Sequence, residues 1–198
     1  MELKQILEAA LLAIGEPISI ERLSLMFPED NQPSVEEIKQ ALENLAADYQ
    51  DKVSEIKLLA SGYVIQVRQE FSEYLSRLYE ERPARYSRAF LETLALIVYR
   101  QPITRGEIEK VRGVAVGSNI MKSLLDRNWV RVVGQRDVPG KPSLYATTKE
   151  FLDYFGLKSL EELPPLAEIK SLEQAAQALE LELTITEVEN PQTEELRY

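Results

Sequence analysis

The chain uses one short phrase twice. Residues 12–23 read LAIGEPISIERL and residues 97–108 read IVYRQPITRGEI. Pro17 matches Pro102, Ile18 matches Ile103, Ser19 matches Thr104 and Leu23 matches Ile108. Each phrase carries the end of an apolar helical stretch through a polar turn and Pro-Ile-(Ser/Thr) into a new helix start. A repeat at a fixed offset, here about 85 positions, is the mark of one supersecondary unit built twice. It predicts a tandem of two small domains, and 198 residues leave each half enough apolar side chains for a core of its own.

In the first half, Leu3, Ile6, Leu7, Ala10, Leu11 and Ile14 recur at helical spacing and Gly15 stands where a helix would stop. Ser19 caps a second short helix ending near Phe27. Ser34-Val-Glu-Glu37 is a capping box, in which two side chains each satisfy an orphan backbone donor. It opens a third helix with Val35, Ile38, Leu42 and Leu45 on one face. The period then switches to two: Ile56, Leu58 and Ala60 alternate, Ser61-Gly62 makes a tight turn, and Tyr63, Ile65 and Val67 alternate back. Three helices followed by a hairpin is the element order of a winged helix.

The second half repeats that order. Ser87 caps a helix whose buried face is Leu91, Leu94, Ala95 and Val98. Thr104-Arg-Gly-Glu107 is another capping box, leading a helix that carries Ile108 and Val111. Gly113 and Gly117 punctuate a turn, and Ser118 opens a third helix with Ile120, Met121, Leu124 and Leu125. The strand WVRVVGQRD, the turn PGKP, the strand SLYATT and a helix from Lys149 to Phe155 complete the half. The expected fold is mainly α with small β-hairpins (α+β): a winged-helix domain over 1–83, a second over 84–158, and an acidic tail over 159–198. In the tail, Ser159-Leu-Glu-Glu162 caps a single turn, and Ser171-Leu-Glu-Gln174 caps a short helix through about Leu181. The composition beyond predicts a mobile extension with some helical tendency.

Charge follows the same divisions. Residues 1–83 carry 8 Lys/Arg against 16 Asp/Glu, residues 84–158 carry 13 against 7, and residues 159–198 carry 2 against 10. The balances are −8, +6 and −8, within a total of −10. A basic middle between acidic ends suits either nucleic acid or an acidic protein partner.

Several chemistries drop out. With no cysteine and no histidine, disulfides, thiolate nucleophiles and the commonest general base and metal ligand are all missing. Gly140-Lys141-Pro142-Ser143 resembles the end of a phosphate-binding loop, but a proline separates Lys from Ser and the segment lies between two strands rather than before a helix. The acidic pairs Glu36-Glu37 and Glu161-Glu162 sit at helix starts, where carboxylates favour the positive end of the dipole. No nucleophile–base–orienter set can be assembled, so neither an enzyme nor a cofactor or metal site is expected. No apolar run approaches the roughly 18 residues needed to span a bilayer, and the N-terminus reads as an amphipathic helix, so a cytoplasmic protein is expected.

A DNA reader is the main competing class. Arg100, Arg105, Arg112, Lys122, Arg127, Arg131, Arg136 and Lys141 fall on the expected helix-turn-helix and wing of the second half. Its third helix, SNIMKSLLDRNW, turns only Asn119, Lys122, Ser123, Asp126 and Arg127 outward. That is a poor base-reading face, although phosphate contact needs no more than the cations. In the first half the third helix presents Glu36, Glu37, Glu43 and Asp48, which a polyanion repels. A winged-helix transcription regulator therefore stands as the alternative reading, and a hydrolase or transferase as a more distant one.

The runs SRAFLETLALIVYRQPITRGEIEKVRGV and LLDRNWVRVVGQRDVPGKPSLYATTKEFLDYFGLKSLEELPPL closely resemble the segregation and condensation protein B family. The likeness is dense over about 87–166 and colinear over 1–86. Phe90 and Trp129 depart from it, standing where smaller or aliphatic residues are expected. The resemblance implies a non-catalytic accessory subunit of the bacterial condensin complex, associated with the nucleoid. It further implies a homodimer paired through the N-terminal winged helix, holding the kleisin subunit (segregation and condensation protein A) that bridges the SMC ATPase heads. On that basis Leu12, Leu25 and Met26 are candidates for the dimer interface, and Arg100, Arg105, Arg136 and Lys141 for gripping the kleisin, with at most weak non-specific contact to DNA.

Overall fold

In the computed structural model, which describes residues 2–78, 86–164 and Leu179, the repeated phrase encodes the same join twice. The described residues fall into two units, 2–78 in one and 86–164 with Leu179 in the other.

The first unit opens with α1 (Leu3–Ile14), which stops at Gly15. There φ is 66° and the amide donates back to the Leu11 carbonyl, a left-handed exit that glycine makes at little steric cost. After Pro17, Ile18 exchanges two backbone hydrogen bonds with Tyr63, at 3.0 and 2.9 Å, and Ser19 Oγ accepts from the Arg22 amide to start α2 (Ile20–Ser24). This helix is shorter than expected. From Leu25 to Phe27 the chain continues only as single turns, with Met26 donating to Leu23 and Phe27 to Ser24. The capping box at Ser34 and Glu37 forms and leads α3 (Val35–Asp48). The hairpin β1 (Ser54–Leu58) and β2 (Tyr63–Val67) follows, with Leu58 paired to Tyr63. Its connection is therefore the four residues Leu59 to Gly62 rather than Ser61-Gly62 alone, closed by reciprocal hydrogen bonds between Leu59 and Gly62. Ala60 lies in that loop and not in a strand. A short α4 (Ser72–Leu75) ends the described part. Leu7, Leu11, Ile18, Leu23, Ile38, Leu42, Leu45 and Tyr49 form the core, with Ile56, Tyr63 and Ile65 of the hairpin packed against it.

The second unit is built around α5 (Arg88–Arg100), capped by Ser87. The sequence predicts one buried face; instead Phe90, Leu91 and every residue from Thr93 to Val98 are buried, because α6, α7 and the sheet all pack on this helix. Pro102 leads into β3 (Ile103–Thr104), which pairs with the later hairpin at Ile103↔Tyr145. Thr104 then caps α6 (Arg105–Arg112), which closes at Gly113 with φ 72°. α7 (Ser118–Asp126), β4 (Val130–Gln135) and β5 (Ser143–Thr147) follow, and α8 (Lys149–Tyr154) is capped by Thr148. The sheet is antiparallel with order β3-β5-β4 and a bulge between Val132 and Gly134. Val111 differs from expectation: Ile108 is buried on α6, whereas Val111 is 38% exposed.

Phe90 and Trp129 belong to one aromatic cluster. Tyr86 stacks on Phe90 at 4.9 Å, Trp129 lies 5.6 Å from Tyr86 and 6.1 Å from Phe90, and Tyr154 and Phe155 close over Trp129 at 4.6 and 5.4 Å. A large residue at one position is thus matched by a large residue at the other, as close packing demands. After α8, the turn Leu160–Glu162 forms with Ser159 accepting from the Glu161 amide, and Leu163 packs on the second core. The helix expected from Ser171 to about Leu181 lies outside the described residues, Leu179 excepted; that side chain is buried with the second core.

Candidate partner-binding surface

The basic face of the second unit is organised by the first turn of α6. Thr104 Oγ1 accepts from the Glu107 amide, and the Glu107 carboxylate accepts from the Thr104 amide at 2.8 Å. Arg136, at the start of the β4–β5 loop, donates to both oxygens of the same carboxylate at 2.8 and 3.0 Å. The Thr104 amide, and then the Arg136 guanidinium, hold the Glu107 carboxyl below its ordinary range. One turn on, Arg105 donates to Glu109 at 3.0 Å and to the Val116 carbonyl at 2.6 Å. The Val116 amide, and then Arg105, lower the Glu109 carboxyl in the same direction. Arg105 and Arg136 are thereby gathered at one helix start. Each keeps close to half its side chain in solvent, 46% and 42%.

The other cations divide sharply. Arg112 is no surface residue: its side chain is 6% exposed and donates to Glu92 and to Thr93 Oγ1. Its helix turns it onto α5, so it is withdrawn from any partner. Arg127 lies over the rings of Tyr86 and Trp129, at 5.0 and 5.4 Å. Arg100, Lys122, Arg131 and Lys141 are exposed. On the outward side of α7, Asn119, Lys122 and Asp126 are exposed, and Ser123 and Arg127 half-buried. In the first unit, Glu36 and Glu43 face solvent, Glu37 is engaged by Ser34, and Asp48 pairs with Lys4 at 2.6 Å.

The three interface candidates of the first unit stand in water, Leu12 at 61%, Leu25 at 77% and Met26 at 43% exposure, but so do Val35, Val53, Val67, Tyr74 and Leu78. On the second unit Val114, Val132, Val133 and Val138 are also exposed, a set that sequence reading missed. Val132 and Val133 are consecutive in a strand, so alternation could assign only one of them to solvent. Among the described residues no group of three acidic side chains is placed to hold a metal ion, and no helix is long and apolar enough to cross a membrane.

A family model, segregation and condensation complex subunit ScpB, matches residues 5–166. The chain belongs to the segregation and condensation protein B family. The segregation and condensation protein B homolog of Coxiella burnetii (strain RSA 493 / Nine Mile phase I) is 60% identical over 171 residues, 86% of this chain and 82% of that protein. Segregation and condensation protein B of Syntrophotalea carbinolica is 44% identical over 90% of this chain and 89% of that one. The crystal structure of ScpB from Mycobacterium tuberculosis shares 34% identity, covering 79% of this chain and 96% of that chain at a TM-score of 0.36. In this member of the segregation and condensation protein B family, the matched span includes every described residue except 2–4 and Leu179.

Proposed function

We propose that this chain is a non-catalytic accessory subunit of the bacterial condensin complex, acting in chromosome condensation and segregation in the cytoplasm at the nucleoid. The match of the family model across residues 5–166 carries this reading. In it, the residues divide into a winged-helix domain over 1–83, a second over 84–158, and an acidic tail over 159–198. The first domain pairs two copies through Leu12, Leu25 and Met26, whose exposure leaves apolar surface for a second copy to bury. The second domain takes the kleisin subunit, segregation and condensation protein A, through Arg100, Arg105, Arg136 and Lys141, and through it meets the SMC ATPase. Arg105 and Arg136 favour this role because their helix and loop anchors hold them in place while half of each side chain stays open. Two such domains in a dimer, engaging one chain, raise effective concentration without a strong single contact.

Light scattering of the protein, alone and with its cognate kleisin, tests the proposal. The expected result is a dimer of about 45 kDa, twice the 22.6 kDa chain, that takes up one kleisin chain. A monomer that ignores the kleisin and shifts duplex DNA at physiological salt would overturn it in favour of a winged-helix transcription regulator.

A further inference from the structure

Arg136 is held at both ends. Its amide donates to the Pro142 carbonyl and its carbonyl accepts from the Val138 amide, each at 2.9 Å. The Lys141 amide donates to the Val138 carbonyl at 2.9 Å, closing a turn with Pro139 and Gly140 (φ 86°) at its centre. At the other end, Nη2 donates to both Glu107 oxygens. Glu107 is fixed in turn: Oε2 accepts from the Thr104 amide and from Thr104 Oγ1, at 2.8 and 2.9 Å. Thr104 is buried and paired with Leu144 in the sheet. A line of anchors therefore runs from the sheet through Thr104 and Glu107 to a guanidinium that stays half exposed.

Only Nη2 of that guanidinium is engaged among the described residues, which leaves the donors on Nε and Nη1 open. Glu107 balances the charge of Arg136, so the arginine offers a partner geometry more than long-range attraction. A planar fork of donors suits a carboxylate, and 13 Lys/Arg against 7 Asp/Glu over residues 84–158 favour an acidic segment around it. Binding normally costs a long side chain its rotamer freedom, and a side chain already held has little left to lose. Closing α6 is a task that glutamine performs as well as glutamate; the ion pair with Arg136 is the task that needs a carboxylate. We propose that Arg136 is a preset site for an Asp or Glu side chain of the partner, and that Glu107 is its positioning residue. The inference rests on the kleisin reading above and gives that contact a chemistry.

Calorimetric titration of the full-length protein with its cognate kleisin tests it. Glu107→Gln keeps the cap and removes the ion pair. Charge alone predicts that losing an anion tightens the grip on an acidic partner; positioning predicts the opposite sign, a loss of at least about threefold. In an Arg136→Ala background the same change costs less than about 1.5-fold, because no guanidinium is left to position. Arg136→Lys, which keeps the charge and loses the fork, binds at least about threefold more weakly. A smaller loss or a gain for Glu107→Gln overturns the proposal, as does a loss of about 1.5-fold or more without Arg136, which assigns Glu107 to the cap alone. Arg136→Lys binding like the natural chain also overturns it. A natural chain that takes up no kleisin overturns the kleisin reading itself and this role with it, a result visible before any variant is compared.

Discussion

At Gly62 the backbone sits at φ 142°, and a Cβ would come within 2.1 Å of the Ile18 carbonyl oxygen and 2.6 Å of the Ser19 nitrogen. Both atoms, and the Ile18 carbonyl carbon at 2.2 Å, belong to backbone, so none of them can swing aside. Gly62→Ala is expected to lower the stability of the first unit by at least about 2 kcal/mol. Gly15→Ala, at φ 66° but with open space around it, should cost about 1 kcal/mol; urea titration followed by circular dichroism ranks the pair. Serine next to glycine announced a turn at this site, but the reason glycine is needed lies 44 residues upstream in sequence, where local pattern cannot reach. Glu107 supplies a pH signature. Its carboxyl is held low in the folded protein, first by the Thr104 amide and then by Arg136, so its contribution is complete above the ordinary carboxylate range and fades as pH falls through the folded value. Glu107→Gln should therefore lose less stability than the natural chain between about pH 6 and about pH 3, as read from melting temperatures across that range.

Between elements, the most deeply buried ion pair among the described residues of the second unit joins α6 to α5. Arg112 and Glu92 are both largely withdrawn from water, at 6% and 18% exposure, and the Glu92 carboxyl is held low by Arg88 first and Arg112 next. Arg112→Ala removes the buried partner of Glu92, leaving Arg88 as its ion-pair partner, and is expected to cost about 1 to 3 kcal/mol, whereas Arg88→Ala, with Arg88 67% exposed, should cost less than about 1 kcal/mol. Fluorescence of Trp129, the one tryptophan in the chain, follows unfolding of this unit. The helices were readable because caps and period agree: Ser19, Ser34, Ser87 and Thr104 all cap in the structure. β3 was not readable. Two residues carry no period, and Ile103 becomes a strand only because Tyr145 lies beside it. Arg112 was misplaced on the surface because an arginine on a helix usually faces water, and only the packing of α6 on α5 buries it.

Over the whole molecule, the acidic first unit and the basic second one bound what polyanions can do. Of the nine cations from Arg100 to Lys141, Arg112 is buried and Arg105 and Arg136 hold carboxylates. Arg127 lies on rings, which leaves Arg100, Lys110, Lys122, Arg131 and Lys141 exposed. With five such charges in this stretch, the log–log dependence of duplex affinity on salt should be no steeper than about −5; fluorescence anisotropy with a labelled duplex measures it, and a steeper slope with sequence preference would favour the regulator. The candidate binding face was only partly legible, since the sequence marks where charge accumulates while side-chain partners decide which charges remain available. The bridge that both repeats share has a kinetic meaning as well. Ile18 must find Tyr63 across 45 residues, and Ile103 must find Tyr145 across 42. Loop-closure entropy for those two searches differs by only about 0.06 kcal/mol. The two units thus meet the same topological barrier, so a difference in their folding rates would report on side-chain packing, with the aromatic cluster around Trp129 the first place to look.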